Sequence, residues 1–477
     1  MMNRIGGGLF FIAFVLLFVS ELLEQSMFVD GLWYASISRN LAEGQGCFWQ
    51  PQFSALIFAR FFEHPPLVFG LQALFFKLLG DHFWTERFFV FIHYLSTAGL
   101  MLMLWRQALE AAKVRQYIGS MWFLPLLFWQ CNLVTYFFQP ANLLDASLAV
   151  FDLLAVFLLL KTARTRWVLA GCTLAGLAVG LAVWSKGPVG LFPLAFWLCY
   201  KWSFPQIAWQ KVIGRSMVVL FSMAAFLCLV FGFSVEAQAA LAAYWDTQLL
   251  ASLSGERRQY YFQENRLFII GRLLWVLVPM LLACVLSLRI NRWRVWAPSH
   301  VKLFLAIGLT ASLPLTLSPR QALPYLLPAI PYFSLAFALV SVPLVQYIGG
   351  FRFEKRAKWL QSLQALILVA VFATLFMAAK KYRQPNQRDA HLLEDVQLIG
   401  EWVGPEAVIA SDTFDMYISG YLMRLHKISL DTAHQDREFL LRAKSGTIIP
   451  MGYNKLPLST QLFDLYQKSG KTLGKIQ

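Results

Sequence analysis

Several ionisable side chains stand at the polar edges of long apolar runs: the carboxylates Asp30 and Asp145, and the groups Arg39, His64, Lys186 and Arg320, which carry or can gain positive charge. A carboxylate in such a place can take a proton from an attacking hydroxyl, or merely cap a helix. A cation there can receive an anion as negative charge develops on it, or snorkel to the headgroup level as an anchor. The adjacent Glu63 and His64 have the chemistry of metal ligands, though two neighbours make a weak case for a site. Asp152 follows Asp145 by seven residues on the same helical face, about 10 Å deeper by helical rise, where a charge is costly unless paired.

The elements that must position these groups are membrane spans. Of 477 residues, 58% are hydrophobic and 14% charged, against roughly a quarter charged in soluble domains. Apolar runs long enough to cross a hydrocarbon core of roughly 30 Å recur along the chain. About eleven spans are expected, at roughly 5–23, 86–105, 117–137, 145–160, 167–184, 188–201, 213–233, 267–288, 301–317, 325–347 and 360–379. The first follows Met-Met-Asn-Arg, lacks a small-residue cleavage site, and reads as a retained helix. Cys47, Cys131, Cys172, Cys199, Cys228 and Cys284 show no CxxC spacing, which argues against a disulfide framework or a cysteine-ligated metal.

The net charge of +15 does not point to nucleic acid, because the basic residues cluster in short loops between spans. Arg106, Lys113 and Arg115 share one side with Lys161, Arg164 and Arg166, with Lys201, Lys211 and Arg215, with Arg289, Arg292, Arg294 and Lys302, and with Arg352, Lys355, Arg356 and Lys358. That side is cytoplasmic by the positive-inside rule. The other side collects Asp30, Glu43, Glu63, Asp81, Glu86, Asp145, Glu236, Asp246, Glu256 and Glu264. A multi-pass protein of the cell (inner) membrane is expected, with its N-terminus in the cytoplasm and an extracytoplasmic site and C-terminus.

Three polar regions face that outer side. The loop of about residues 24–85 is too long for a simple connection and too aromatic for a spacer; Tyr34–Ala42 and Phe53–Phe62 read as amphipathic helices at the interface. The loop of about 234–266 carries Trp245, Arg257, Arg258 and Tyr260, as a mobile cover or as a plain aromatic belt. From residue 380 the pattern becomes a small soluble α/β unit: a helix at 389–403, a strand at Ala407–Ser411, a second helix, and strands at Lys427–Leu430 and Gly446–Pro450, without a nucleotide-binding glycine fingerprint. The expected division is thus a membrane module, 1–379, and an extracytoplasmic α/β domain, 380–477.

The first loop reads Asp30-Gly-Leu-Trp-Tyr-Ala-Ser-Ile-Ser-Arg39, then Glu63-His-Pro-Pro-Leu67. With Asn142-Leu-Leu-Asp145, Trp184-Ser-Lys-Gly-Pro188 and Arg320-Gln-Ala-Leu-Pro-Tyr-Leu-Leu-Pro-Ala-Ile-Pro331 in order after it, the chain resembles the GT-C membrane glycosyltransferases of the protein O-mannosyltransferase and 4-amino-4-deoxy-L-arabinose transferase type. The resemblance covers about residues 5–345. It implies a GT-C-like α-helical fold and transfer of a sugar, with inversion, from a polyprenyl monophosphate to a hydroxyl of a lipid, polysaccharide or protein. On that reading Asp30 is the general base and Asp145 the second acidic position. Arg39, His64, Lys186 and Arg320 are candidates for the donor phosphate, Tyr34, Glu63, Arg257, Arg258 and Tyr260 line or cover the cavity, and membrane lipid is the surrounding partner. No cofactor is required, although Glu63 and His64 keep a divalent metal open; the membrane part lacks an Asp-x-Asp motif, against an obligatory diphosphate-and-metal mechanism. The chain departs from the family pattern at Gly31, where Glu is common, and at Trp33, and His64 replaces a frequent Lys.

Other classes fit less well. A transporter or flippase of lipid-linked sugars tends to show inverted repeats and midplane charges, whereas the charges here gather at one surface. An O-antigen-type ligase usually keeps its main loop late in the chain.

Overall fold

The computed structural model describes residues 2–111, 121–250, 265–295, 297–318, 320–350, 357–412, 414–434, 436–444 and 451–469. Eight described helices are long and apolar enough to cross a membrane: Asn3–Leu23, Thr85–Glu110, Val168–Lys186, Trp209–Gly232, Phe268–Ile290, Pro298–Leu317, Ile330–Ile348 and Gln361–Lys380. The chain is a polytopic α-helical membrane protein.

Of three further stretches expected as spans, one is a continuous but charged helix and two are interrupted, each for a local reason. The helix Leu144–Thr162 has the length but carries Asp145, Asp152 and Lys161. The run near 117–137 breaks where Cys131 ends the helix Phe123–Gln130 and the Asn132 side chain caps Leu133–Phe138 by accepting from the Val134 amide. The run at 188–201 starts as a 3-10 turn, Pro188–Ala195, in which the interior Pro193 lacks the amide a continuous helix needs. It becomes α-helical at Phe196–Ser203.

The chain divides into two compact units. The first joins Met1–Leu22, Phe62–Val68 and Arg87–Lys380. In it, Leu144–Thr162 and Val168–Lys186 form a helical hairpin, and Trp209–Gly232 packs on the second arm. Gly176 permits that approach: a Cβ there would stand 2.5 Å from the Val219 carbonyl oxygen, a small-residue contact of the kind that packs helices in lipid.

The second unit joins Leu23–Phe61 and Phe69–Glu86 to Lys381–Gln477. The first-loop segments therefore cluster with the C-terminal tail, a grouping the expected boundary at residue 380 did not contain. A short hairpin, β1 (Gly46–Cys47) with β2 (Gln50–Pro51), follows the helix Val29–Ala42. Five strands make a mixed sheet: β3 (Val408–Ser411), β4 (Ser429–Asp431), β5 (Phe439–Ala443), β6 (Tyr453–Lys455) and β7 (Phe463–Lys468), in spatial order β4-β3-β5-β7-β6. β3 pairs in parallel with β4 and β5, while β7 runs antiparallel to β5 and β6. The expected helix at 389–403 is Ala390–Val403; the expected strand at Gly446–Pro450 lies outside the described residues. Asp395, fully buried in that helix, accepts from the amides of Gln461, Leu462 and Phe463 and fixes the start of β7.

One expected helix is absent. Phe53–Phe62 is a chain of bends, in which Ser54 Oγ accepts from the Leu56 and Ile57 amides and Phe58 adopts φ 48°. Phe53 leaves any helical face to stack on Trp33, centroids 3.8 Å apart and planes within 5°. Local serine bonding and an aromatic stack outweigh the apolar periodicity.

Candidate functional site

In the first unit the apolar hairpin brings two distant charges together. Leu143 enters Leu144–Thr162 in extended conformation without a side-chain cap, which puts Asp145 in the first turn, where the helix dipole favours a carboxylate. Lys186 ends the antiparallel arm, where the dipole favours a cation. Its Nζ donates to Asp145 Oδ2. The pair is largely shielded, with side chains 11% and 4% exposed, so removing one member would leave the other uncompensated at a cost of about 3–5 kcal/mol. The same ammonium stands 4.8 Å from the ring centroid of Tyr325, which arrives from the Arg320–Pro331 segment. An ammonium has three donors; among the described residues the Asp145 bond is the one hydrogen bond Lys186 makes.

Next to this pair the backbone turns at Gly187, φ 81°. A Cβ here would run into the Tyr244 hydroxyl, so both the dihedral and the space select glycine. An apolar cavity of about 770 Å³ opens beside the turn, within the usual range for small-ligand pockets. Val183, Gly187 and Pro188 form one wall, Phe231 and Tyr244 another. Pro65 of the Glu63–Leu67 turn also reaches it. Four of the expected motif segments thus meet within one unit: 63–67, 142–145, 184–188 and 320–331.

The second unit holds Asp30 and Arg39. Asp30 is half-buried in the first turn of Val29–Ala42, one helix later than a cap on the first span would be. Its charge reaches the phenol of Tyr417, whose pKa is raised chiefly by burial. The Arg388 guanidinium stacks 4.8 Å from the Tyr417 ring.

Arg39 has a different occupation from the phosphate contact expected of it. Its side chain is 1% exposed. Nε and Nη2 donate to Asn40 Oδ1, Nη1 donates to the Met423 and Arg424 carbonyls, and Nη2 also meets Met423 Sδ. All five guanidinium donors are used inside the unit. Burial first, then the neighbouring Arg424, lower its pKa to about 10. Arg424 in turn binds Asp81 at 2.6 Å and Glu86 at 2.7 Å. In this structure the pattern of Arg39 is that of an interior clamp between Val29–Ala42 and Met416–His426.

The remaining expected residues are placed as follows. Arg320 is exposed beside the Ser318 turn, and Glu63 and His64 are half-buried. Tyr34 is buried, its ring 5.5 Å from that of Phe69. Arg257, Arg258 and Tyr260 lie outside the described residues. Asp152 is fully buried, and among the described residues neither carboxyl oxygen has a hydrogen-bond partner. Among the described residues no three His, Cys, Asp or Glu side chains converge as a metal site. Sequence reasoning missed Tyr244, which carries no signal of its own, and the contact of Tyr325, which lay inside a recognised segment without an assigned part.

No family model matches the sequence, and no curated protein matches it. Solved structures do resemble it. ArnT from Cupriavidus metallidurans bound to undecaprenyl phosphate aligns with a TM-score of 0.66 at 14% identity, over 95% of this chain and 96% of that one. Its apo state gives 0.62 at 14% identity, with the same coverage of 95% and 96%. Archaeal oligosaccharyltransferase AglB from Archaeoglobus fulgidus, in complex with an inhibitory peptide and a dolichol-phosphate, gives 0.49 at 12% identity over 92% of this chain and 69% of that one. The fold is the ArnT-like GT-C fold.

Proposed function

We propose that this protein is a glycosyltransferase that moves a sugar from a polyprenyl monophosphate to a hydroxyl acceptor on the extracytoplasmic side of the membrane, with inversion. The observation that carries this reading is the Lys186–Asp145 pair under Tyr325, adjoining an apolar cavity of about 770 Å³. A phosphate needs a cation held in advance, and an isoprenoid tail needs an apolar groove. ArnT, whose fold the chain shares, has been seen with undecaprenyl phosphate.

In the reaction the acceptor oxygen bonds to the anomeric carbon as the bond from that carbon to the phosphate oxygen breaks. The hydroxyl proton goes to a carboxylate, for which Asp30 is the candidate, and the bonding pair leaves with the polyprenyl phosphate. Lys186 would meet the charge growing on the phosphate, with Asp145 orienting the ammonium. Arg320 and His64 are further cations for the donor; Arg39 is left out because its donors are already used. No metal takes part in this scheme.

The test gives the purified full chain a set of polyprenyl-phosphate sugars with lipid, glycan and peptide acceptors. Transfer by the wild type, with loss of kcat of about 10²-fold or more in Asp30→Asn, supports the reading. Transfer by Asp30→Asn at the wild-type rate removes Asp30 as base. Movement of the intact lipid-linked sugar across vesicle membranes without transfer overturns the enzymatic reading in favour of a transporter.

A further inference from the structure

A second cavity lies in the first unit, at the opposite end of the helix that carries Asp145. It has a volume of about 560 Å³ and is lined by Arg106, Lys161, Arg164, Tyr200, Phe204 and His300, among others. Lys161 is in the last turn of Leu144–Thr162 and Asp145 in the first, so about 24 Å of helical rise separates this cavity from the Lys186–Asp145 pair. It is a different site, and nothing in the proposed transfer uses it.

Its cations are arranged for an anion. Arg106 is answered by Glu110, 3.0 Å away one helical turn on. Lys161 and Arg164 are not answered: among the described residues no carboxylate pairs with either, and Lys161 instead stands 5.4 Å from the Phe157 ring. Arg164 is held by two neutral contacts. Its Nε donates to Tyr200 Oη at 3.2 Å, and its guanidinium stacks 5.0 Å from the Phe204 ring. His300 meets the same ring edge-on at 5.3 Å. Those contacts fix the plane of the fork while its terminal nitrogens make no hydrogen bond among the described residues. A guanidinium oriented in this way suits a phosphate, which it can bind through two parallel hydrogen bonds.

The rest of the lining narrows the ligand. Gln107 lines the cavity, and its Oε1 is buried with no partner among the described residues, so a small side-chain rotation would be needed to bring it to a ligand. A buried acceptor left unmade is costly, and a phosphate diester has no donor to offer it. The ammonium or hydroxyl of a phospholipid headgroup does. Met103, half exposed, and Leu160 supply an apolar margin along which acyl chains can leave. Basic pockets between spans on the side where Lys and Arg collect are where anionic headgroups are bound, and this end carries the Arg106, Lys161 and Arg164 loops that the positive-inside rule assigns to the cytoplasm.

We propose that this cavity binds the headgroup of a membrane phospholipid, its phosphodiester on Arg164 and Lys161 and its headgroup donor on Gln107 Oε1. The shared chemistry is a phosphate ester, so the experiment separates the sources. Delipidated full-length protein in detergent is titrated with phosphatidylglycerol, phosphatidylethanolamine, polyprenyl phosphate and inorganic phosphate, and bound species are counted by native mass spectrometry.

The phospholipids should bind, and Arg164→Met should weaken them about fivefold, the scale of one basic residue at an anionic surface. Gln107→Leu should weaken them while leaving inorganic phosphate unaffected. Arg166→Met removes a cation from the same turn that stacks on Trp167 and does not line the cavity; it should bind as the wild type does. Phospholipid binding unchanged in Arg164→Met with Lys161→Met overturns the proposal. So does displacement of phospholipid by equimolar inorganic phosphate, or a polyprenyl phosphate that competes for the site and is insensitive to Gln107→Leu. If Arg164→Met does not fold, Arg164→Lys keeps the charge without the fork and should still lose part of the affinity.

Discussion

Lys186 and Asp145 meet because the two arms of one helical hairpin end at the same level, the acid at the first turn of one and the base at the last turn of the other. Each helix dipole favours the charge it carries, so the pair is supported before any ligand arrives. Lys186→Met should leave Asp145 buried without its partner and cost about 3–5 kcal/mol, seen as a lowered Tm of the purified chain. The double variant Lys186→Met with Asp145→Leu should recover most of that loss. Transfer should stay abolished in both, since the phosphate still lacks its cation. Full activity in the double variant would remove Lys186 from the donor site.

Gly187 gives a second prediction. With φ at 81° and the Tyr244 hydroxyl occupying the space of a Cβ, Gly187→Ala combines an unfavourable dihedral with a clash. It should destabilise by about 1–3 kcal/mol and raise KM for a long-chain donor more than for a short-chain analogue, because the displaced turn borders the apolar cavity. Adding Tyr244→Phe removes the colliding oxygen and should restore part of both effects. Equal KM changes for both chain lengths would detach the turn from the tail.

The membrane fold was legible in the sequence because lipid imposes length and hydropathy directly. Where a run carried acids or prolines, as at Asp145, Asp152 and Pro193, hydropathy alone could not say whether it crosses or breaks. The Asp145 and Lys186 positions were both recognisable in their motifs, but their bond spans 41 residues and rests on helix packing that no local pattern encodes. The clamp on Arg39 was less legible still. Its acceptors on Met423 and Arg424 lie 384 and 385 residues away, and an arginine on a short helix reads the same from sequence whether it faces a phosphate or a carbonyl. Phe53–Phe62 misled in another way, since its apolar spacing served the Trp33 stack and a serine-bonded turn rather than a helix.

Arg39 tests that reading. Replacing it with Met leaves the Met423 and Arg424 carbonyls and the Asn40 amide oxygen without their donor, at a cost of about 1–3 kcal/mol per buried group. Arg39→Lys keeps the charge but cannot serve acceptors on both sides, and should be nearly as damaging. Protease sensitivity of the second unit should rise in both variants. Any protein that remains folded should bind polyprenyl phosphate as the wild type does. A folded variant with selectively weakened donor binding would return Arg39 to the phosphate.

Metal dependence is directly measurable. Transfer by protein treated with a chelator and then desalted should equal that of untreated protein, and Glu63→Gln should not create or abolish a response to added Mg²⁺ or Mn²⁺. Activity lost on chelation and regained with a divalent cation would assign Glu63 and His64 to a metal instead.

Asp431 should contribute to the acid stability of the second unit. Burial alone would raise its carboxyl, but Arg437 and the His434 and Ala433 amides outweigh burial and hold the pKa below the ordinary aspartate value. In the unfolded chain the group titrates near about 3.9. The folded form therefore binds its proton at lower pH than the unfolded form. The stabilisation is fully present above about pH 5 and is lost as the pH falls through the depressed folded value. Hydrogen exchange at the Ala433 and His434 amides, followed on the full chain, should accelerate in that acid window in excess of the intrinsic pH effect. In Asp431→Asn the amides lose a charged acceptor and Arg437 its counter-ion, so exchange should already be fast at neutral pH and show no further acid step. An acid step of undiminished size in Asp431→Asn would place the titrating group elsewhere in the sheet.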